Sequence, residues 1–463
     1  MRHVQNMNSI RIKKGLDIPL SGKPGPTIEP HVLPTDTVYV HPAEFEGVKA
    51  KLLVEEGAAV KRGSPLFFNK RLTALQFLSP GGGRVEEIKY GPRRVIERIT
   101  IRLDSKEEVE AFKKYSPEQI SGLDRAEIIG HLLATGFWAH IKQRPFSRIA
   151  DPEATPKSIF VNAMNTAPFQ PDFHVIVKGH EQAFQAGLDL LTRLTDGDVH
   201  LCLAAEAENS SKAVTEARNV QIHAFSGPHP SGNSSVHIHH VDPMDPHDKV
   251  WVVRAVDLIT IGRLFLDGEY PADRTISFGG PGVRPEACRY YRLRHGAALA
   301  PLLEERLRDG EHRIVCGDGL SGAEVDAGGG LPFYGSGLTV IPEERERLFM
   351  GWFAPGWNRY SPSRTFLSTW FRRNHAWNLN SNLNGSRRAM VLTGLYDTVM
   401  PMNIMVDFLV RAVLAHDTDE AIALGILETD PEDFALCSFI CPSKMELSHI
   451  IRQGLDEIEQ EGI

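Results

Sequence analysis

Long apolar runs are absent from this sequence: no stretch approaches the roughly 18 uninterrupted apolar residues that a membrane-spanning helix needs. The N-terminus has no apolar core of the kind a secretory leader carries, so no export signal is expected. Cysteine is scarce and odd in number, five in 463 residues without framework spacing, which argues against a disulfide scaffold and for a reducing compartment. The net charge is −8 with acids and bases mixed and no broad basic stripe, which argues against a nucleic-acid partner. No Gly-x-Ser-x-Gly elbow occurs, and Gly317-Asp-Gly-Leu-Ser-Gly322 lacks the Lys-Ser/Thr ending of a phosphate loop. On local motifs the chain does not read as a self-sufficient enzyme.

What is present is a soluble-type composition, 42% hydrophobic and 24% charged, at a length that predicts three or four domains. Residues Met1–Ser9 are polar and read as an extension, with structure beginning at Ile10. Val54-Glu-Glu-Gly57-Ala-Ala-Val60-Lys-Arg-Gly63-Ser-Pro-Leu66 has the rhythm of short strands joined by glycine turns. With Ser79–Val85 and Val95–Leu103 it resembles the two halves of a biotinyl/lipoyl-type barrel-sandwich. Lys70 would then sit on the hairpin that carries the modified lysine in such domains. Its neighbours Asn69 and Arg71 fit neither acceptor type, so it reads as an ordinary exposed lysine and no swinging arm is expected.

Between about 120 and 250 strand and helix patterns alternate. Ile159–Met164, Val199–Leu203 and Val220–Phe225 read as strands, Glu181–Leu194 as a helix, and 208–218 as a polar helical stretch. This predicts a Rossmann-like parallel sheet. A strand at Val250–Val253, a helix near Val256–Leu266 and short strands at Thr275–Phe278, Tyr290–Leu293 and Ile314–Cys316 suggest a β-grasp unit. The remainder reads as helical. Pro401 suits a first helical position, with Ile404, Met405, Phe408, Leu409 and Val413 on one face, and Thr418 suits a cap. The last helix shows Leu447, Ile450, Ile451, Leu455 and Ile458 at helical spacing. The expected fold is therefore multidomain α/β and α+β. It comprises a barrel-sandwich over 1–103, a Rossmann-like domain over 104–249, a β-grasp domain over 250–345 and a helical domain over 346–463.

Three local patterns invite chemistry. His237-x-His239-His240, with Asp242 and His247 nearby, would place two imidazoles on one face of a strand. No third ligand stands at a characteristic distance, so hydrogen-bonding roles in a loop and strand end are the preferred reading. Phe225-Ser-Gly-Pro-His229-Pro-Ser-Gly232 follows a strand but lacks the glycine spacing that admits a pyrophosphate, and reads as turn architecture or a partner contact. Cys437 and Cys441, followed by Pro442, match the back half of the ferredoxin run Cys-x2-Cys-x2-Cys-x3-Cys-Pro. Its first two ligand positions hold Pro431 and Phe434, which cannot donate to iron. The motif is degenerate, and the two cysteines are expected to pack.

Several segments together resemble the A-subunit family of the bacterial Na+-translocating NADH:quinone oxidoreductase. They are Ile12-Lys-Lys-Gly-Leu-Asp17, Arg144-Pro-Phe-Ser147, Gly227-Pro-His-Pro230 with His237-Ile-His239, Arg364-Thr365, and Asn384-Gly. Tyr396 with Val399-Met-Pro401, Asp417-Thr-Asp419, and Glu432 through Pro442 complete the set over essentially the whole chain. More distantly it resembles the C subunit of the Rnf complex and the flavin-bearing subunit of respiratory complex I. In those relatives a loop Gly-x-Gly-Gly-Ala-Gly-Phe-Pro cradles flavin and NADH phosphates. The matching stretch here, Gly136 to Ser147, has no glycine between His140 and Ser147, so the side chains of Gln143, Arg144 and Phe146 would block a phosphate. Asn165-Thr-Ala-Pro168 replaces their Cys-Glu-Pro.

The resemblance implies a cofactor-free, peripheral member of a six-subunit complex that passes electrons from NADH to ubiquinone and exports Na+. The isolated chain is then not expected to be catalytic. The implied partners are the membrane-embedded B subunit and the remaining subunits, met on the cytoplasmic face of the inner membrane. FAD, FMN, riboflavin and iron–sulfur sites are implied on other chains. The rival reading is a flavin- or NADH-binding redox subunit like its Rnf counterpart, against which the missing glycines argue. For contact with ubiquinone, Leu132–Ser147 is the first place to look. Phe137, Trp138 and Phe146 offer aromatic walls, and Lys142 and Arg144 offer cations for oxygens that gain charge on reduction.

Overall fold

Alternating apolar residues joined by glycine turns make the first compact unit. In the computed structural model, which describes residues 8–205, 213, 216–346, 350–351, 353–372, 375–391 and 394–462, two small antiparallel sheets face each other. One contains Thr37–Val40, Ile96–Leu103, Gly83–Tyr90 and Ala59–Val60; the other contains Ala50–Leu52, Pro65–Asn69 and Leu72–Leu78. Val38, Leu66, Phe67, Phe77, Val85, Ile99 and Ile101 fill the space between them. Lys70 lies exposed on the two-residue turn between Pro65–Asn69 and Leu72–Leu78, the hairpin where it is expected.

The chain before this unit belongs elsewhere. Asn8–Arg11 is a parallel edge strand of a seven-stranded sheet, and Ile28–Val32 is an edge strand of a six-stranded one. An extension over Met1–Ser9 is therefore corrected for Asn8 and Ser9; residues 1–7 lie outside the described residues.

The seven-stranded sheet runs Asn8–Arg11, Gln221–Ser226, Val199–Ala204, Ser158–Ala163, Val250–Arg254, Lys142–Arg144, Arg148–Ile149. Its first five strands are parallel and its last two antiparallel. The period of two sorts their side chains. Ile159, Val161, Leu201, Leu203, Trp251 and Val253 pack on one side, and Phe160, Cys202, Phe225, Val250 and Val252 on the other. Both faces are buried, as parallel sheets require.

On the first face helices Glu181–Leu191 and Ala255–Asp267 cross closely, because Gly187 and Gly262 present no side chain: a Cβ on Gly262 would come 1.8 Å from the Ala183 carbonyl oxygen. Two expectations fall here. Val250–Arg254 does not open a separate unit but sits inside the seven-stranded sheet, so a boundary between 249 and 250 would cut it. Nor does Ala255–Asp267 lie across the strands that follow it; it packs on Glu181–Leu191. The helical stretch near 208–218 lies largely outside the described residues.

The six-stranded sheet runs Ala323–Glu324, His312–Cys316, Gly337–Pro342, Asp273–Gly279, Arg289–Arg294, Ile28–Val32. Ile276, Phe278, Tyr291, Leu293, Ile314, Leu338 and Val340 form its core, with Leu302 and Leu303 of the short helix Ala300–Leu303 added.

The C-terminal elements cover the second face of the seven-stranded sheet. Helices Val406–Leu414 and Leu447–Glu461 bury Val406, Leu409, Val410, Val413, Leu447, Ile450, Ile451, Leu455 and Ile458 in the same cluster as Phe160 and Val250. The last helix follows its sequence spacing. The preceding one is rotated from expectation: it begins at Val406 rather than Pro401, and Met405 and Phe408 are exposed. Asp417, not Thr418, caps Thr418–Ala423, its carboxylate accepting from the Glu420 N–H at 3.0 Å.

Candidate functional site

The segment from Gly136 to Arg148 is the natural place to seek a ligand, and its geometry follows from its side chains. Helix Arg125–Thr135 ends at Gly136 in a left-handed conformation (φ 78°), where a Cβ would stand 2.6 Å from the Gln76 carbonyl oxygen. The chain then makes a 3-10 turn, Phe137–His140, all of it buried. Phe137 packs on Tyr270 with ring centroids 5.1 Å apart. Trp138 meets Trp251 edge-on at 5.3 Å and donates its indole N–H to the Ala150 carbonyl at 2.7 Å. Lys142 Nζ donates to the Tyr334 hydroxyl at 2.9 Å and lies 4.2 Å from its ring; burial brings its pKa down to about 8.

Arg144 and Phe146 point into the other side of the sheet. Arg144, 4% exposed, donates to the Asp430 carboxylate at 2.9 Å and the Thr429 carbonyl at 3.2 Å, with Glu432 at 4.0 Å. The Phe146 carbonyl accepts from Arg452 at 2.9 Å, and Ser147 hydrogen bonds to Asp430. Arg148 bonds Asp456 and Glu459 of the last helix. Burial alone would raise the Asp430 pKa, but Arg144 and the Ser147 hydroxyl hold it low. Beside it, Glu432 is pushed up to about 8 by burial and by Asp430 and Asp433.

So the five residues are not brought together. Phe137, Trp138 and Lys142 contact Tyr270, Trp251 and Tyr334 in turn; Arg144 and Phe146 face the C-terminal elements. The loop that would cradle phosphates is filled by its own side chains and ringed by carboxylates that repel an anion. The residues present do not fit a bound nucleotide there.

The other motifs resolve as packing. Cys437, in helix Ala435–Ile440, and Cys441, its C-cap, are fully buried. Burial drives the Cys437 thiol far above its ordinary range, and Cys441 Sγ lies 3.0 Å from the Tyr396 hydroxyl. Two thiols held apart from other donors do not fit an iron–sulfur cluster. Among the described residues no group of three or more His, Cys, Asp or Glu is arranged to hold a metal.

His237, His239 and His240 lie on helix Ser234–Val241, not on a strand end. His237 and His240 bond the Ser231 and Val236 carbonyls, and His239 pairs with Glu428. In the Gly227–Gly232 loop the His229 ring meets Thr166 at 3.1 Å and the His229 backbone N–H donates to Asp17 at 2.9 Å, which ties the loop to the N-terminal segment. Asp318 caps the amides of Leu320 and Ser321 in the Gly317–Gly322 turn, which leads into strand Ala323–Glu324 rather than a helix.

Sequence reading missed a second constellation where three units meet. Asp257, fully buried, accepts from Arg274 at 2.9 Å and Arg254 at 2.6 Å, with His140 at 3.2 Å. Burial opposes its charge, but the cations hold its pKa well below the usual range. Arg274 also donates to the Phe333 and Gly335 carbonyls, and Arg254 to that of Tyr334. His140 stacks on Phe333 at 4.5 Å.

Beyond Phe333 lies a narrow cavity of about 30 Å3 beside Gly136, bounded by Glu44, Phe77, Tyr270, His295 and Phe333. The Phe333 N–H donates to Glu44 at 2.6 Å, yet burial raises this carboxyl to about 7. Both ring nitrogens of the buried His295 lack a hydrogen-bond partner among the described residues. No sequence spacing links Glu44, Asp257 and His295, so no local signal announced them.

These titrations predict a bell-shaped stability profile. Buried neutral histidines, such as His237 (down to about 3) and His223 (down to about 4), bind protons more readily when unfolded. Stability therefore falls as pH drops below about 6.5, by roughly 2 kcal/mol per such histidine at pH 5. Glu44 binds a proton more tightly when folded, so stability also falls as pH rises from about 4.5 to 7. Thermal melts should peak between about pH 6 and 7, and Glu44→Gln should flatten the alkaline limb. A melting temperature that climbs steadily to pH 8.5 would contradict this.

The comparisons with known proteins align with this architecture. Family descriptions match in order: NqrA N-terminal barrel-sandwich hybrid domain over residues 10–104, NqrA second alpha/beta domain over 123–270, and NQRA C-terminal domain over 275–327. The A subunit of the Na(+)-translocating NADH-quinone reductase from Pasteurella multocida (strain Pm70) is 41% identical over 456 residues, 98% of this chain and 100% of that protein. The chain belongs to the NqrA family, the A subunits of Na(+)-translocating NADH-quinone reductases. Family members from Yersinia pestis bv. Antiqua (strain Angola) and Histophilus somni (strain 2336) are 40% and 38% identical, each over 98% of this chain and 100% of theirs. A crystal structure of an NAD+-reducing NiFe hydrogenase overlaps 49% of this chain and 47% of its own, at 18% identity and a TM-score of 0.32, too little to argue from. The second family match ends at residue 270, after helix Ala255–Asp267, as the sheet pairing requires.

Proposed function

We propose that this chain is a cofactor-free peripheral component of a Na+-translocating NADH:quinone reductase, docked on the membrane-embedded B subunit at the cytoplasmic face of the inner membrane. NADH, flavin and iron–sulfur chemistry would then belong to the other chains of a six-subunit complex. The observation that carries the reading is the Gly136–Arg148 segment. The stretch that matches a nucleotide loop is filled by Trp138, Arg144 and Phe146 and latched to Asp430, Asp456 and Glu459. Among the described residues no helix is long and apolar enough to cross a membrane, which suits a peripheral place. The sheets fit a Rossmann-like unit followed by a β-grasp unit and a helical domain. The rival flavin- or NADH-binding reading draws no support from this geometry.

The same proposal gives the chain a share in ubiquinone reduction, at the cavity beside Gly136 rather than around Arg144. Phe77, Tyr270 and Phe333 would wall the ring, with His295 and Glu44 at its oxygens. Phe137 stands one layer behind, against Tyr270, Trp138 lies deeper against Trp251, and Lys142 reaches the same wall through Tyr334. Arg144 and Phe146 would hold the segment from the opposite side. At about 30 Å3 the cavity has room for a water or two, so the ring would enter by parting the barrel-sandwich from Phe333.

In the assembled complex His295→Ala and Lys142→Ala should raise the quinone KM roughly fivefold or more while NADH oxidation with an artificial acceptor is spared. An unchanged quinone KM in both variants would remove the quinone assignment and leave family membership untouched.

A further inference from the structure

Charges that look mixed along the chain are in fact segregated at one place. From Arg347 to Tyr396 there are seven arginines, no lysine and no Asp or Glu, in a protein of net charge −8. The same stretch holds four of the six tryptophans. Elsewhere aromatic residues are mostly interior; here Trp357, Trp370 and Phe371 are 53%, 64% and 70% exposed, and Leu367, Leu383 and Val391 are exposed with them.

The exposed aromatics form a patch. The short helix Ser368–Phe371 presents Trp370 and Phe371, and Trp357 packs beside Phe371 with ring centroids 5.8 Å apart. Next to it opens a cleft of about 430 Å3, lined by Tyr360, Ser361, Arg364, Thr369, Trp370 and Arg372. Arg372 lies 5.5 Å from the Trp377 ring and donates to Asn358. Asp17 also borders the cleft, but its carboxylate accepts from the His229 N–H. Among the described residues of this stretch only Arg387 pairs with a carboxylate, that of Glu446. Arg364 and Arg388 are exposed without one.

We infer that this face lies directly on an anionic phospholipid surface, with the aromatic side chains at headgroup depth and the arginines on lipid phosphates. Tryptophan placed beside cations is the composition that partitions to a bilayer interface, because the ring is apolar on its faces and polar at its N–H. A cationic stretch without acids is attracted by anionic headgroups within a Debye length, and guanidinium groups bond phosphate oxygens in pairs. The cleft, with Arg364, Arg372 and the hydroxyls of Tyr360, Ser361 and Thr369, suits one headgroup phosphate. A protein partner would also accept aromatic and arginine contacts, but nothing in such an interface requires the exclusion of every acid over fifty residues. The inference rests on this charge pattern and exposure, independently of the quinone assignment.

The test is co-sedimentation of the purified full chain with vesicles. It should bind phosphatidylcholine vesicles containing about a third phosphatidylglycerol and not pure phosphatidylcholine, with binding weakened by salt. Arg364→Glu with Arg388→Glu, and separately Trp357→Ser with Trp370→Ser, should each lower the partition about tenfold or more, with melting temperatures near the parent's. These positions are exposed, so the variants should fold. Failure to bind anionic vesicles, or binding unaltered by both variants, overturns the inference. So would loss of co-purification with the complex in the tryptophan variant when the parent chain ignores vesicles, since the face would then belong to a protein partner.

Discussion

Replacing Arg144 with alanine should destabilise the protein by about 3–5 kcal/mol, because it strands buried carboxylates without their cation. Arg144 is the counter-charge of Asp430, and Asp433 and Glu432 stand in the same pocket. Its guanidinium also reaches the Thr429 carbonyl across 285 residues of chain, so the loss would free the C-terminal elements from the sheet edge. Arg144→Lys should recover only part of the stability, since an ammonium cannot serve a carboxylate and a carbonyl in the same planar geometry. The decisive comparison is the double variant Arg144→Ala with Asp430→Asn, expected to be more stable than Arg144→Ala alone because the stranded charge is gone. Calorimetry that shows additive losses would mean that the pair is not coupled.

Asp257→Ala should be comparably damaging, again by about 3–5 kcal/mol, for the mirror-image reason. It leaves Arg274, whose side chain is 2% exposed, as an unpaired cation between the seven-stranded and six-stranded sheets. Asp257→Asn retains the shape and one acceptor but not the charge, and should fall between the two. Because Arg254 and Arg274 hold the Phe333–Gly335 carbonyls, the damage should be local first. Amide hydrogen exchange of Tyr334 and Ser336 should accelerate well before global unfolding. Uniform protection there in Asp257→Ala would show that Asp257 does not tie the two sheets. Both variants would also disturb quinone kinetics if made in the complex, so the quinone test relies on His295 and Lys142.

What the sequence by itself determined is what depends on residue type at one place. The glycine-free run after His140 and the proline and phenylalanine at two ligand positions exclude tight phosphate and cluster binding before any coordinates are known. The acid-free stretch from Arg347 to Tyr396 could also be counted there, although whole-chain charge hid it. Helix Leu447–Glu461 was legible because one face is apolar at 3.6-residue spacing.

Tertiary structure decided what depends on partners far along the chain. Val250–Arg254 reads the same as any short apolar strand, and only its pairing with Ser158–Ala163 places it in the seven-stranded sheet. His237 and His239 have the spacing of one strand face, yet Val236 and Ile238 are both buried in a helix beneath the C-terminal elements. Phe137 and Arg144 stand seven residues apart but face opposite sides of the sheet, because the intervening chain ends a 3-10 turn and becomes a strand paired with Val250–Arg254. The contacts Arg144–Asp430 and Asp257–Arg274 leave no mark on local pattern. Each is an electrostatic pairing that low dielectric makes strong and that only folding brings within reach.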